Sequence, residues 1–196
     1  MVTDILAVGL AYGVGSVPFA HLLARRRGVD LRRVGSGNVG ATNVLRTSGV
    51  RQAVLAMSLD AGKGSLAVLI AQGLSGGAAT PVAAGLASML GHVYPVWLGF
   101  RGGKGVATAA GAFAVLAPVA LLTALVVFVS AVWLTRYISL GSVTAALALA
   151  LTTGLTGGAG PVLAGATAAA AVVIHRHRAN LVRIVAGTER SIGQRL

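Results

Sequence analysis

Long apolar runs separated by short polar or basic segments make up most of the chain. Most of these runs approach the roughly 20 residues that an α-helix needs to cross the hydrocarbon core of a bilayer. The pattern therefore predicts an all-α, polytopic membrane protein. The predicted spans cover residues 3–24, 50–74, 81–100, 106–116, 119–135, 140–155 and 161–174.

One apolar stretch requires an internal break. Residues 106–135 remain apolar over 30 positions, which is long for one crossing and short for two full ones. Pro118 predicts the break, because proline lacks the amide hydrogen that continues a helix. We therefore expect a short helix over residues 106–116 and a longer one over 119–135. The segment 75–80 between the second and third spans carries no charge, and a turn is expected over residues 156–160.

Basic residues cluster between the apolar runs, as they do in the cytoplasmic loops of membrane proteins. A seven-crossing path that starts outside places every cluster on the same side, whereas six crossings would leave the clusters at one end outside. The sequence thus predicts seven helices, at least one of them short, with the N-terminus outside and the C-terminus cytoplasmic, in one domain over residues 1–196. The basic clusters occupy residues 25–51, Arg101 with Lys104, Arg136, and residues 176–195.

Composition and charge narrow the class of protein. Of 196 residues, 56% are hydrophobic and 10% are charged, against roughly 25% charged in an average soluble domain. The net charge of +12 alone would suit nucleic acid binding. Its placement between the spans instead favours anionic lipid head groups and phosphate-bearing substrates. The chain has no cysteine, which excludes a thiol nucleophile and a cysteine-ligated metal.

The segment after the first span, residues 35–46, has the composition of a ligand-binding loop. Its glycines permit close backbone approach and positive φ angles, and its arginine can clamp an anion. A flexible interhelical turn that caps the next helix explains the composition equally well. The candidate ligand-binding residues are Ser36, Asn38, Thr42, Asn43 and Arg46.

A second glycine-rich segment, residues 101–108, leads directly into the short predicted helix. Amides at a helix N-terminus, the helix dipole and an adjacent lysine together form a phosphate cradle. The segment is not a Walker A motif, because Leu98 stands where that motif requires glycine. A basic glycine turn at the membrane surface is the alternative. The candidates are Gly102, Gly103, Lys104, Gly105 and Thr108.

Two ionisable residues interrupt the second predicted span. Asp60 and Lys63 lie one helical turn apart, so they can pair on one face, and charged groups at membrane depth are rare and usually functional. Alternatively, the two neutralise each other near the cytoplasmic end while the lysine snorkels. His92, in the third span, is a candidate general base, substrate donor or hydrogen-bonded helix brace, and the brace is favoured for a lone histidine.

The C-terminal part of the chain carries further polar candidates. The residues after the last span form a polar tail that either binds substrate or anchors to anionic lipid, and their physics slightly favours anchoring. Ser139 and Ser142 share one helical face, where their hydroxyls can reach a phosphate or, as is favoured, cap the helix. The polar tail contains His175, Arg176, His177, Arg178, Asn180, Arg183 and Glu189.

The residue patterns of several common catalytic sites do not occur in the sequence. No spacing of histidines and carboxylates resembles a zinc site, and no G-x-S-x-G sequence suggests a serine hydrolase. Covalent catalysis therefore has no obvious nucleophile.

Taken in order, the motifs resemble the bacterial PlsY family, membrane acyltransferases that acylate glycerol 3-phosphate with acyl phosphate. The resemblance covers nearly the whole chain, and the set of motifs is far more specific than any single one. The motifs occupy residues 15–19, 35–46, 60–64, 91–95, 102–108, 139–142 and 176–183.

The resemblance implies a seven-helix enzyme of the bacterial inner membrane with its active site facing the cytoplasm. Lysophosphatidic acid and inorganic phosphate would be the products. The expected partners are acyl phosphate, glycerol 3-phosphate and membrane lipid, with no nucleic acid, no cofactor, no metal and a monomeric state. The His and Asp separated by four residues in acyltransferases with soluble donors are absent from this sequence.

The resemblance also implies roles for the candidate residues. Residues 102–108 would cradle the acyl-phosphate head, with Lys104 bridging the donor and acceptor phosphates. The catalytic residues would be Lys104, Ser36, Asn38 and His177. The substrate-binding residues would be Thr42, Asn43, Arg46, Asp60, Lys63, His92, Gly102, Gly103, Gly105, Thr108, Ser139, Ser142 and Asn180.

Direct attack of the glycerol 1-hydroxyl on the acyl carbonyl, with the departing phosphate accepting the proton, would explain the missing nucleophile. A transporter of phosphate or an organic anion is the main alternative, since it too places basic groups and a buried carboxylate in a helical bundle. A non-catalytic scaffold that holds anionic lipid is a third. It explains the charge but not the uncharged polar residues of segment 35–46.

Overall fold

The computed structural model of the protein describes residues 1–75, 77–158 and 160–193. The uncharged segment 75–80 and the predicted turn 156–160 each include one residue outside these ranges, and Arg195 of the predicted basic cluster also lies outside them. All regular structure in the described residues is helical. The helices are α1 Val2–Gly15, α2 Phe19–Arg25, α3 Ala41–Ser48, α4 Val50–Leu74, α5 Ala79–Val93, α6 Val106–Leu116, α7 Pro118–Thr135, α8 Ile138–Leu155 and α9 Gly160–Val185, with one 3-10 turn, Val96–Leu98.

The all-α membrane fold predicted from the apolar runs is confirmed at this level. By length and composition, four segments of the described chain can cross a membrane, namely Val2–Arg25, α4, α7 and α8, and α6 is a shorter apolar helix. The number of crossings and their orientation stay predictions. The break near Pro118 lies as expected, because this proline begins α7, where a missing amide hydrogen costs least.

The first and third predicted spans differ from the structure. The first is interrupted between Gly15 and Phe19, since Pro18 cannot donate to the preceding turn. In the third, α5 ends at Val93 and residues 96–98 form a 3-10 turn after Pro95. The 15 residues of α5 rise about 22 Å, which is less than the roughly 30 Å of a hydrocarbon core.

Two segments expected to be irregular are helical. Residues 41–46 of the predicted loop lie in α3, so that only residues 35–40 of it remain a loop. At the other end, α9 continues to Val185. The predicted polar tail from His175 to Arg183 therefore lies on a helix, and its side chains are placed with helical spacing rather than as a free tail.

Contacts divide the described chain into two compact units, residues 1–115 and residues 116–193. The single domain over residues 1–196 accordingly stays a prediction. In the first unit, α1, α4 and α5 pack against one another, and α2 and α3 pack against α4. In the second unit, α8 packs against both α7 and α9.

Glycines set the closest helix contacts of the first unit. A side chain at Gly15 would overlap the Ser88 carbonyl, and one at Gly91 would overlap the Tyr12 carbonyl, so α1 and α5 touch backbone to backbone. On α6, a side chain at Gly111 would overlap the α4 backbone at Ala61. Such close approach needs residues without a Cβ, which accounts for the small side chains in these helices.

Asp30 organises the basic segment between α2 and α3. Its carboxylate oxygens lie 3.8 Å from Arg25, 3.2 Å from Arg32 and 3.7 Å from Arg33. The side-chain hydrogen bond from Arg32 is the main cause that lowers the pKa of Asp30 to about 2. One carboxylate thus holds three neighbouring guanidinium groups in place against their mutual repulsion.

Glu189 anchors the segment that follows α9 in the second unit. Its buried carboxylate accepts hydrogen bonds from Ser139 Oγ (2.9 Å), Asn180 Nδ2 (2.6 Å) and Arg183 Nε (2.8 Å). Burial opposes ionisation, but these donors outweigh it and lower the pKa of Glu189. One ionised side chain therefore links the C-terminal segment to both α8 and α9, in addition to backbone bonds from Thr188 N to Arg183 O and from Ile192 N to Arg136 O.

The lowered pKa of Glu189 predicts how stability depends on pH. The stabilisation by its carboxylate is complete above the usual glutamate pKa of 4.5 and is lost as the pH falls through the lower pKa of the folded state. At pH 7, Glu189→Gln should lower the melting temperature in detergent by about 2 to 4 °C. The difference from wild type should shrink progressively below pH 4.5.

Thr188→Ala is the matched control for this measurement, because Thr188 is the exposed neighbour of Glu189 and carries no charge. Its melting temperature should follow that of the wild type at every pH. A difference between Glu189→Gln and wild type that does not change with pH would contradict the ionised state of the carboxylate.

Candidate active site

The predicted pairing of Asp60 and Lys63 on α4 is present and lies in the interior of the first unit. Lys63 Nζ is 2.8 Å from Asp60 Oδ1, and the two residues are 1% and 3% exposed. The ammonium also donates to Val17 O at 2.8 Å and stands 5.7 Å from the centre of the Phe19 ring. Both contacts lie at the break between α1 and α2, so this break supplies partners for the buried charge.

His92, near the end of α5, completes the cluster. Its Nδ1 lies 3.1 Å from Lys63 Nζ and 3.4 Å from Asp60 Oδ1, and the residue is buried. Of the roles considered for His92, these contacts match the hydrogen-bonded brace. We refer to Asp60, Lys63 and His92 as the α4–α5 cluster.

The glycine loop, residues 102–105, packs directly on the end of α5. Gly102 N donates to Val93 O at 3.0 Å and Gly103 N donates to His92 O at 3.1 Å. These two amides are thus engaged by the protein's own backbone, which differs from their predicted use as phosphate donors. Lys104 is half-buried, between buried Gly103 and buried Gly105. As predicted, α6 starts immediately after this loop.

Two hydroxyls near this region are buried without a hydrogen-bond partner among the described residues. Thr108 Oγ1 lies on the first turn of α6 and Ser16 Oγ lies just after α1, and both residues are 0% exposed. Ser16 lines the same small cavity as the α4–α5 cluster. Thr108 is one of the predicted site residues, whereas the sequence alone did not indicate Ser16 as a site residue.

The candidates of segment 35–46 divide into exposed and buried groups. Asn43 is 1% exposed; its Nδ2 donates to Leu31 O (3.0 Å) and Val34 O (3.1 Å), and its Oδ1 accepts from Ser36 N (3.0 Å). With both of its amide hydrogens engaged, Asn43 braces the loop, which differs from its predicted role in substrate binding. By contrast, Ser36 is exposed, and Asn38, Thr42 and Arg46 are half-buried.

The candidate site residues of the second unit make hydrogen bonds within the protein. Ser139 and Asn180 bind the Glu189 carboxylate, while Ser142 Oγ donates to Ile138 O one turn earlier at 2.9 Å. Neither serine caps α8, and binding of phosphate by the two hydroxyls stays a prediction. The bond of Ser142 to its own helix is a common alternative for a serine within a helix.

The two histidines of α9 have different environments. His177 is buried and its Nδ1 lies 2.8 Å from Val173 O. Because a carbonyl only accepts, Nδ1 carries a hydrogen, and this bond fixes the orientation of the ring. His175 is exposed, with its Nε2 2.9 Å from Arg178. The geometry therefore favours His177 as the histidine held in a fixed orientation.

Glu189 is the residue whose importance the sequence analysis missed, since it was grouped with the polar tail. A usable signal was present: the chain has four acidic residues against 16 basic ones. All four carboxylates form ion pairs, with the Met1 amino group (Asp4), with arginines (Asp30 and Glu189) and with Lys63 (Asp60). Scarcity of acids in a basic chain thus marks each one as a candidate for a structural or functional contact.

An apolar groove of about 260 Å³ lies on the second unit. It is lined by Phe128, Val129, Val132, Trp133, Arg136 and Ile192. An apolar surface that ends beside an arginine has the chemistry to hold an amphiphile with an anionic head. Within the described residues, no three His, Cys, Asp or Glu side chains are grouped closely enough to hold a metal ion.

Comparison with known proteins gives matches over the full length of the chain. The sequence pattern of the glycerol-3-phosphate acyltransferase family matches residues 5–187. The glycerol-3-phosphate acyltransferase of Geobacter sulfurreducens is 47% identical, over 96% of this chain and 97% of its own. The enzyme of the same name from Synechococcus sp. (strain CC9902) is 43% identical, over 100% of this chain and 98% of its own.

Two crystal structures share the fold. Both are of PlsY, described as an integral membrane glycerol 3-phosphate acyltransferase. The glycerol 3-phosphate form has a TM-score of 0.93 and 42% identity, over 97% of this chain and 96% of that one. The lysophosphatidic acid form has a TM-score of 0.91 and 41% identity, over 97% and 95%. By sequence, coverage and fold, the chain belongs to the glycerol-3-phosphate acyltransferase family of integral membrane enzymes.

Proposed function

We propose that the protein transfers a fatty acyl group from acyl phosphate to the 1-hydroxyl of glycerol 3-phosphate, releasing lysophosphatidic acid and inorganic phosphate. One observation carries this proposal: the glycine loop bears Lys104, and its backbone is held on the end of α5. The holding contacts are hydrogen bonds to Val93 O and His92 O. A fixed cation beside helix α6 suits two phosphate-bearing substrates. PlsY relatives crystallised in glycerol 3-phosphate and lysophosphatidic acid forms support the same acceptor and product.

The reaction needs no nucleophile from the protein. The 1-hydroxyl oxygen of glycerol 3-phosphate attacks the acyl carbonyl carbon, and the bond between that carbon and the phosphate oxygen breaks. The departing phosphate takes the hydroxyl proton. Lys104 stabilises the negative charge that develops, because a preorganised cation favours the transition state over the ground state. His177, whose ring is oriented by the bond between Nδ1 and Val173 O, contacts the glycerol 3-phosphate.

The remaining predicted residues receive narrower roles in this proposal. Ser36, Asn38, Thr42 and Arg46 are exposed or half-buried and so can contact substrate, with Arg46 binding phosphate. Asn43 acts by holding the loop that carries Ser36. Asn180 contributes to binding glycerol 3-phosphate while Glu189 orients its amide group.

We further propose a setting in the bacterial inner membrane, with seven crossings, the N-terminus outside and the catalytic residues on the cytoplasmic side. The gathering of basic segments on one side of such a path supports this arrangement. The protein would act as a monomer and a single functional domain, and take its donor from the surrounding lipid. Membership of an acyltransferase family counts against the alternative of an anion transporter.

The identity of the acyl donor can be tested with the purified protein in detergent. The protein is incubated with glycerol 3-phosphate and either palmitoyl phosphate or palmitoyl-CoA. We expect lysophosphatidic acid and inorganic phosphate in equal amounts from palmitoyl phosphate, and no product from palmitoyl-CoA. Product from palmitoyl-CoA alone would overturn the proposed donor. Absence of product from both donors in folded protein would return the transporter to consideration, to be measured as flux in sealed vesicles.

The role of Lys104 is tested by Lys104→Ala. We expect kcat/KM to fall by about 10²- to 10³-fold, the usual cost of removing one group that stabilises transition-state charge, with an unchanged melting temperature. Arg101→Ala is the matched control, since Arg101 is an exposed cation only three positions away and should be dispensable. Equal losses in the two variants would point to a general effect of charge and against a specific role for Lys104.

A further inference from the structure

The α4–α5 cluster is closed to a substrate as large as glycerol 3-phosphate. The cavity beside it, lined among others by Ser16 and the three residues of the cluster, has a volume of about 10 Å³, roughly the room of one water molecule. The Lys63 ammonium has three hydrogens, and it lies within 2.8 to 3.1 Å of three partners, Asp60, Val17 O and His92. The buried lysine is thus engaged by the protein and does not point to a substrate phosphate.

These contacts fix the tautomer of His92. An ammonium group donates hydrogen bonds and accepts none, so Nδ1, at 3.1 Å from Lys63 Nζ, must present its lone pair. Donation from Nδ1 to Asp60 would follow the longer distance, 3.4 Å, and would turn a hydrogen toward the ammonium. Nδ1 therefore accepts from Lys63, and the ring hydrogen lies on Nε2.

The other edge of the ring lies against the glycine loop. A side chain at Gly103 would overlap His92 Nε2, so the ring edge and the Gly103 backbone are in contact. The same histidine accepts the Gly103 amide through its carbonyl at 3.1 Å. Ring and backbone of His92 thus hold the residue that immediately precedes Lys104.

We propose that Asp60, Lys63 and His92 are positioning residues for Lys104: the buried ion pair locks the His92 ring, and the ring sets the path of the glycine loop. This inference rests on the proposed function, in which Lys104 stabilises the transition state. It replaces the predicted substrate-binding role of the three residues with an indirect one. A displacement of about 1 Å at a catalytic group can cost on the order of 10²-fold in rate.

The decisive variant is His92→Asn. The Asn amide oxygen can take the place of Nδ1 as the acceptor for Lys63, whereas the shorter side chain no longer reaches Gly103. We expect a melting temperature near that of the wild type and a loss in kcat of about 10- to 100-fold, with a smaller change in KM. Leu90→Ala is the matched control, because Leu90 is an exposed residue of the same helix two positions before His92, and it should keep wild-type kcat.

A double-mutant cycle with Lys104→Ala separates positioning from a general structural effect. If His92 acts through Lys104, then His92→Asn should cause no further loss of kcat in the Lys104→Ala background, because coupled residues are not additive. Wild-type kcat in His92→Asn, or a full additional loss in the double variant, would overturn the proposal.

The paired replacement Asp60→Asn with Lys63→Met, which leaves no unpaired buried charge, provides a second test by the same cycle, should His92→Asn fail to fold. It removes the ammonium that fixes the ring, and its loss of kcat should likewise vanish in the Lys104→Ala background. Leu66→Ala, three positions along α4 and exposed, is its control. Failure of the wild type to use acyl phosphate would count against the proposed function, whereas an active wild type with an equally active His92→Asn would count only against the positioning role.

Discussion

Burial of one ammonium group inside an apolar helix is the constraint on which the first unit depends. A charge removed from water is tolerated only when an opposite charge and enough hydrogen bonds replace the lost hydration. Lys63 obtains these from Asp60 on its own helix, from the Val17 carbonyl and from His92 on α5. The interruption between α1 and α2 is therefore useful, since it supplies a carbonyl outside regular helical bonding.

The glycine contacts make this arrangement possible. Helices α1 and α5 meet backbone to backbone at Gly15 and Gly91, and α4 lies against both helices. Larger side chains at these positions would push the helices apart and lengthen the hydrogen bonds of Lys63. Small residues in this protein thus serve electrostatics as well as packing. In the second unit the buried charge is negative instead of positive. The Glu189 carboxylate is stabilised by three hydrogen-bond donors.

Much of the fold, and part of the site, could be predicted from the sequence. The apolar runs gave the helices, Pro118 gave the break before α7, and the three-residue spacing of Asp60 and Lys63 gave their pairing, because each depends on local pattern. The break at Pro18 was not foreseen, since the run stays apolar through it. The contacts of His92 and Glu189 span 29 and 50 residues along the chain, and only tertiary packing could reveal them. For Asn43, the amide side chain suggests substrate binding. Its hydrogen bonds to Leu31 O and Val34 O instead hold the loop, and these contacts could not be predicted from the residue type.

All four carboxylates of the chain already have cationic partners, yet 16 lysines and arginines carry four times as much charge. The excess has to be balanced by counterions from outside the polypeptide. At a membrane surface, anionic lipid head groups are among the available anions, and a positive surface enriches anions, including phosphate esters, within about 10 Å at moderate ionic strength. An acid-poor sequence therefore gathers phosphorylated molecules around the protein before any of them reaches a specific binding residue.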